Sequence, residues 1–180
     1  MEQEQLPSMN MSARDALLEK LLESYSGYYD ISREEGLDGL HKATAAFHSY
    51  VEKYVLVRSA RMWAHHSHEY IFLFSLPHLD MTAWTRIRDY YLERGLSLVK
   101  PDKEHMYTYI TAVLLCDEMD DDVAKEMKRF KYYKSFKLSF YGWTNARLTA
   151  LEMNSGKIVS NYQGREMGRF VNKIYKEKTK

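Results

Sequence analysis

"HMYTYITAVLLCDEMDDDVAKEMKRFK", residues 105–131, decides how this chain folds. Its first half, from about 105 to 117, is rich in β-branched and aromatic residues and reads as a long central strand. Its second half opens on Asp120, Asp121 and Asp122 and closes on Lys128, Arg129 and Lys131. Acids first and cations last complement a helix macrodipole, so the pattern predicts a short helix over 119–131. A strand running directly into a helix is the unit around which the remaining elements are placed.

Upstream, residues 1–11 are polar and without periodicity, which predicts a frayed, disordered tail ahead of one domain over 12–176. Ser12 can cap a helix, with Asp15 three residues on and Leu17, Leu18, Leu21, Leu22 and Tyr25 on one stripe. Gly27 is its natural stop. Residues 28–42 read as a loop broken by Gly36 and Gly39. From 43 to 76 the pattern turns to strands. "RSARMWAHHSHEYIFLFSL", residues 58–76, reads as two runs joined by a turn at His66–Ser67. Tyr70 to Phe74 is apolar throughout and suits a strand covered on both faces. Asp80 or Thr82 then opens a helix carrying Trp84, Ile87 and Tyr91 on one face, with Gly95 as its end.

Downstream, strands are expected near 133–141 and 145–152, with Gly142 at the bend. "MNSGKIV", residues 153–159, is a hairpin turn into a strand at 157–161. "GREMGRFVNKIYK", residues 164–176, is a basic helix with Met167, Phe170, Val171 and Ile174 on its apolar stripe. The order is α-ββαβαβββ-α, an α+β single domain with a mixed or antiparallel sheet.

The chain has 180 residues, 45% of them hydrophobic, enough for one sizeable core. Its single cysteine, Cys116, can form neither an internal disulfide nor a Cys-based zinc site, so a reducing, cytoplasmic setting is expected. The N-terminus lacks a basic and then apolar leader, and no run approaches the roughly 20 apolar residues of a membrane span. No membrane is therefore expected among its partners. The net charge of +1 hides a polarity: residues 128–180 hold 13 basic and 3 acidic side chains, whereas 101–127 hold 2 and 8. Such a chain can carry a basic patch, provided folding does not interleave the segments.

Most motifs of chemistry are absent. "HHSHE", residues 65–69, could place His66 and His68 on one strand face as metal ligands, but no distant ligand set accompanies them. No metal and no cofactor are expected. Nuclease carboxylates have no lysine at the right place, since Glu126-x-Lys128 lies on a helix. There is no phosphate loop and no G-x-S-x-G elbow. Cys116, inside an apolar strand, reads as a buried, inert thiol. An enzyme of unknown chemistry is the alternative function, with His105 beside Glu104 and Lys103 as its acid–base candidate.

"KRFKYYKSFKLSFYGW", residues 128–143, has five cations, seven aromatic rings and no acid. Strand parity sends Phe136, Leu138 and Phe140 one way, toward the core, and Lys137 and Tyr141 the other. Lys128, Arg129 and Lys131 end the preceding helix. Lys134, Lys137, Tyr141, Trp143 and Arg147 remain as ligand-binding candidates on an open sheet face. Arg165 and Arg169 of the last helix add to them. Rings beside cations on a sheet suit base stacking and phosphate contact. The expected function is a non-enzymatic binding module whose partner is nucleic acid or an acidic protein. Tyrosine-rich edges also allow a homo-oligomer.

"EKYVLVRSARMWA", "KPDKEHMYTYITAVLL", "YYKSFKLSFYGWTNARLTALEM" and "KIVSNYQGRE" together resemble a family of small proteins from clostridia-type Gram-positive bacteria, a domain of unknown function. Its members carry a similar His-Met-x-Thr-x-Ile-Thr strand, a Lys-Ser-Phe strand leading to Gly-Trp and an Arg, and a Thr- or Ser-Asn followed by a Gly-Lys-Glu-like or Gly-Arg-Glu motif. The resemblance covers about residues 50–170. It implies a bacterial, cytoplasmic single domain and brings no catalytic residues. "HHSHE" departs from the plainer polar turn of that family.

Overall fold

The computed structural model describes residues 11–54 and 61–178. The tail expected over 1–11 lies outside them, apart from Met11. In chain order the elements are α1 (Ala13–Tyr25), β1 (Asp30–Ser32), β2 (His41–Tyr54), β3 (Arg61–Leu79), α2 (Met81–Leu98), β4 (His105–Met119), α3 (Asp121–Arg129), β5 (Tyr133–Ser135), β6 (Trp143–Glu152), β7 (Lys157–Ser160) and α4 (Arg165–Lys178). This is an α+β domain in the expected order, with the three-residue β1 added inside the stretch read as a loop. The seven strands form one mixed sheet in the order β1-β2-β3-β4-β6-β5, and β7 also pairs with β6. β3, β4 and β6 run parallel, while the outer pairs are antiparallel.

β4 is central because its residues are apolar on both faces. Ile110, Ala112, Leu114 and Cys116 face one layer, α2 and α3, together with Phe72, Phe74, Trp84, Ile87 and Tyr91. Val113 and Leu115 face the other, α1 and α4, together with Leu17, Leu21, Ile71, Leu73 and Val171. Period-2 alternation on the strands therefore meets period-3.6 stripes on the helices twice over. The caps are as expected at two helices. Ser12 accepts from the Asp15 backbone N–H, and Asp80 from that of Ala83.

Three expectations are corrected. The turn placed at His66–Ser67 does not exist, because β3 runs unbroken from Arg61 to Leu79. Its partner arm is β2, so the connection between them falls in residues 55–60, outside the described residues. α2 does not stop at Gly95 but continues to Leu98. Gly95 is there for closeness: a Cβ at this position would collide with the Ile110 side chain. Finally, the strand expected over 133–141 ends at Ser135. Lys137, Leu138 and Ser139 take positive φ angles of 46°, 54° and 69°, and the chain turns back on itself to Gly142. Leu138 and Phe140 are 89% and 79% exposed rather than in the core.

The outer edge of β6 is covered in three pieces. β5 pairs with its start and β7 with its end. Between them stands Asn161, almost wholly buried. Its Oδ1 accepts from the N–H groups of Leu148 and Gly164, and its Nδ2 donates to the carbonyls of Phe130 and Ala146. The side chain thus stands in for a missing strand. Gly164 is needed beside it, since a Cβ there would collide with the Leu148 carbonyl. The Ser-Asn and Gly-Arg-Glu motif is in this way a structural closure of the sheet edge.

Candidate ligand-binding surface

The apolar cluster beneath α1 and α4 reaches as far along the sheet as Ala45, Ile71 and Val113. Past it the same face turns polar and aromatic. Register places Glu69, Tyr109 and Asn145 in one row across β3, β4 and β6, and Ser67, Tyr107 and Trp143 in the next. β5 adds Tyr133 opposite Asn145. Tyr107 and Trp143 stack at 5.3 Å with planes 24° apart. Tyr109 lies 4.7 Å from Tyr107 and 5.6 Å from Trp143, and Tyr133 continues the row 6.2 Å from Trp143. The result is a part-exposed aromatic platform.

Beneath the platform lies a polar floor. The Arg147 guanidinium sits 3.3 Å from the Tyr109 ring centroid. It pairs with Glu69 at 3.3 Å. Glu69 also accepts from the hydroxyls of Thr111, at 2.8 Å, and Tyr29, at 3.0 Å. Burial together with this carboxylate pushes the Tyr29 hydroxyl pKa up. Arg147 Nε is buried without a hydrogen-bond partner among the described residues. Arg147 therefore braces the platform, and most of its charge is already answered by Glu69.

The platform leads into two joined grooves. One, of about 590 Å³, is bounded by Lys131, Tyr133, Asn145, Tyr162 and Gln163. The other, of about 480 Å³, is bounded by Tyr162, Lys128, Arg165, Arg169 and Asn172. Tyr162 is shared by both, and Arg165 lies 4.8 Å over its ring. One track thus runs from Trp143 through Tyr133 and Tyr162 to three cations.

The sequence candidates divide among three places. Trp143 and Arg147 are together on the platform. Arg165 and Arg169 are together at the far end of the track. Lys134, Lys137 and Tyr141 do not join either group. Lys134 is on the opposite face of β5, with Nζ 5.5 Å from the Phe136 ring, and Lys137 lies over Tyr141 at 4.4 Å in the β5–β6 loop. The single open face expected to hold Lys137 and Tyr141 is replaced by this loop. Tyr107, Tyr109, Tyr133, Tyr162 and Lys128 were not among the candidates. The parity of Tyr107 and Tyr109 is readable in β4, but their register against Trp143 is a property of the sheet.

The histidines lie on the other face. His48 and His68 are register partners on β2 and β3, and their Nδ1 atoms are 2.7 Å apart. His66 is 5.1 Å from His68 by ring centroids and 3.6 Å from Asp102. His66 and His68 thus share a face, as a strand requires. Burial, and then the rings of His48, His66 and His105, hold the His68 pKa down at about 4. Among the described residues, no group of three or more His, Cys, Asp or Glu is arranged to hold a metal ion. His105 is nearly buried, with Nδ1 2.8 Å from the Tyr141 carbonyl and Nε2 2.9 Å from Thr108 Oγ1. Both ring nitrogens are engaged, which suits a brace better than an acid–base group. Cys116 is buried, and its thiol is pushed up to about 12 by burial and by Glu152 and Asp117. Among the described residues no helix is long and apolar enough to cross a membrane.

A family described as a domain of unknown function, DUF8052, matches residues 13–173. No curated protein and no solved structure matches the chain.

Proposed function

The chain belongs to the DUF8052 family, and from the surface this member presents we propose that it is a non-enzymatic module that binds single-stranded nucleic acid. The observation that carries this is the continuity of the track. Trp143, Tyr107 and Tyr133 offer ring faces, and Lys128, Lys131, Arg165 and Arg169 follow along the joined grooves. Base stacking on aromatic side chains contributes about 1–3 kcal/mol per base and tolerates any sequence. Cations spaced along a groove supply phosphate contacts without reading bases. A duplex hides its ring faces, so a single strand is the better fit. The lone buried Cys116 agrees with a reducing, cytoplasmic site of action.

Fluorescence titration with single-stranded and duplex oligonucleotides tests this reading. Single strands are expected to quench Trp143 and to bind with an affinity that falls steeply with salt. Arg165→Glu with Arg169→Glu is expected to weaken binding about tenfold or more and to flatten the salt slope. Trp143→Ala is expected to cost about 1–3 kcal/mol. Absence of binding at low salt, or binding indifferent to both variants, overturns the proposal. Capture of polyglutamate without any oligonucleotide binding would give the basic groove to an acidic protein instead. The alternative of acid–base catalysis at His105 draws less support, because its ring is held on both sides and lines neither groove.

A further inference from the structure

The tip of the β5–β6 loop, residues 136–142, is used by neither core nor track. Leu138 and Phe140 point away from both apolar clusters. The loop is nevertheless ordered. Phe136 N–H donates to the Gly142 carbonyl at 3.0 Å, and Tyr141 N–H to the Phe136 carbonyl at 3.1 Å. Its base is held by His105, whose ring meets the Tyr141 carbonyl. Gly142 leaves no room for a side chain against the His105 and Met106 carbonyls. Three consecutive non-glycine residues stay left-handed to hold this shape, and such outliers collect where function requires them.

Two apolar side chains on a hydrogen-bonded turn have cations at its base. Lys134 lies over the Phe136 ring and Lys137 over Tyr141. No acid occurs in the chain between Glu126 and Glu152. The neighbouring segment before β4 contributes Asp102 and Glu104 alongside Lys100 and Lys103, so it adds no net charge. We propose that this loop docks on an anionic lipid surface, with Leu138 and Phe140 entering the bilayer interface and Lys134 and Lys137 meeting its headgroups. Apolar area and attraction to anionic lipid are the two terms of interfacial binding, and the loop presents both in the right order of depth. Nucleic acid fits less well, because the apolar tip would stand between the lysines and a phosphate backbone. Such a contact departs from the expectation of no membrane partner: that expectation rested on the lack of an apolar span, which argues against crossing a membrane and not against touching one. The inference is independent of the oligonucleotide track, which uses other residues.

Co-sedimentation of the full chain with vesicles tests it. Binding is expected to phosphatidylcholine vesicles containing phosphatidylglycerol, weaker with rising salt, and not to phosphatidylcholine alone. Leu138→Ser with Phe140→Ser should lower partitioning at least about tenfold. The thermal melt should stay unchanged, because both side chains are exposed. Lys134→Gln with Lys137→Gln should reduce the preference for anionic vesicles. In a Phe140→Trp variant, emission should shift to the blue and be quenched by brominated lipid. Equal binding to both vesicles, none to either, or a Leu138/Phe140 variant that binds like the parent overturns the proposal. So does a concentration-dependent dimer, or oligonucleotide binding, that this variant abolishes while vesicles are not bound.

Discussion

Asn161 sits where two strands fail to meet. Its amide answers two N–H groups and two carbonyls at and beside the β6 edge, three of them in buried bonds and the Phe130 carbonyl in a part-buried one. Asn161→Ala removes these bonds, leaving Gly164 N–H only its bond to the residue 161 carbonyl, and unpaired buried groups cost about 1–3 kcal/mol each before relaxation and water entry. A loss of about 3 kcal/mol is expected, read as a lower urea midpoint at unchanged slope. Cys116 offers a second check. With its thiol buried and its pKa at about 12, it should react with a disulfide reagent only after denaturant is added. Its burial was legible from an apolar strand context. Asn161 was visible only as part of a motif, since no local rule says that an amide replaces a strand. Arg147 was a candidate because it is close in sequence to Trp143, but its place over Tyr109 and its pairing with Glu69 were not readable, because these partners are far from it in sequence.

Among the elements, helices were read best. Stripes such as Leu17–Leu18–Leu21–Leu22 have one solution, and the caps Ser12 and Asp80 mark where they start. The β5–β6 loop was read worst. Phe136, Leu138 and Phe140 alternate as a strand would, and no glycine announces the left-handed residues between Lys137 and Ser139. Each such residue carries strain of about 1–2 kcal/mol. Ser139→Gly relieves that strain at an exposed site and should raise stability by about 0.5–1 kcal/mol, measured by thermal unfolding. Leu138→Gly would serve the same end but remove a side chain assigned to lipid contact. "HHSHE" was misplaced for a related reason: polar residues usually mark a turn, yet in a strand of nineteen residues they mark only where the helix layers stop.

For the molecule as a whole, acid should act through the histidine face. The folded pKa of His68 is about 4 against an ordinary 6.5, so below pH 6.5 the unfolded chain takes up a proton that the fold refuses. Stability is complete above that value and declines as pH falls from 6.5 toward 4. His41, also lowered by burial, pulls in the same direction. His78, raised by its hydrogen bond to Asp120, pulls the other way, but it is fully exposed and screened. Denaturant titrations from about pH 7 to about pH 4 should show the decline, and His68→Gln should flatten it. The parallel run of β3, β4 and β6 has a last consequence, for synthesis. β4 has its neighbours from both halves of the chain, and the later one ends at Glu152. Until that residue has left the ribosome, one edge of the most apolar strand stands open and the two helix layers cannot both close. Folding is therefore held back until β6 has emerged, and a nascent chain stalled between α3 and β6 is the form that most needs a chaperone.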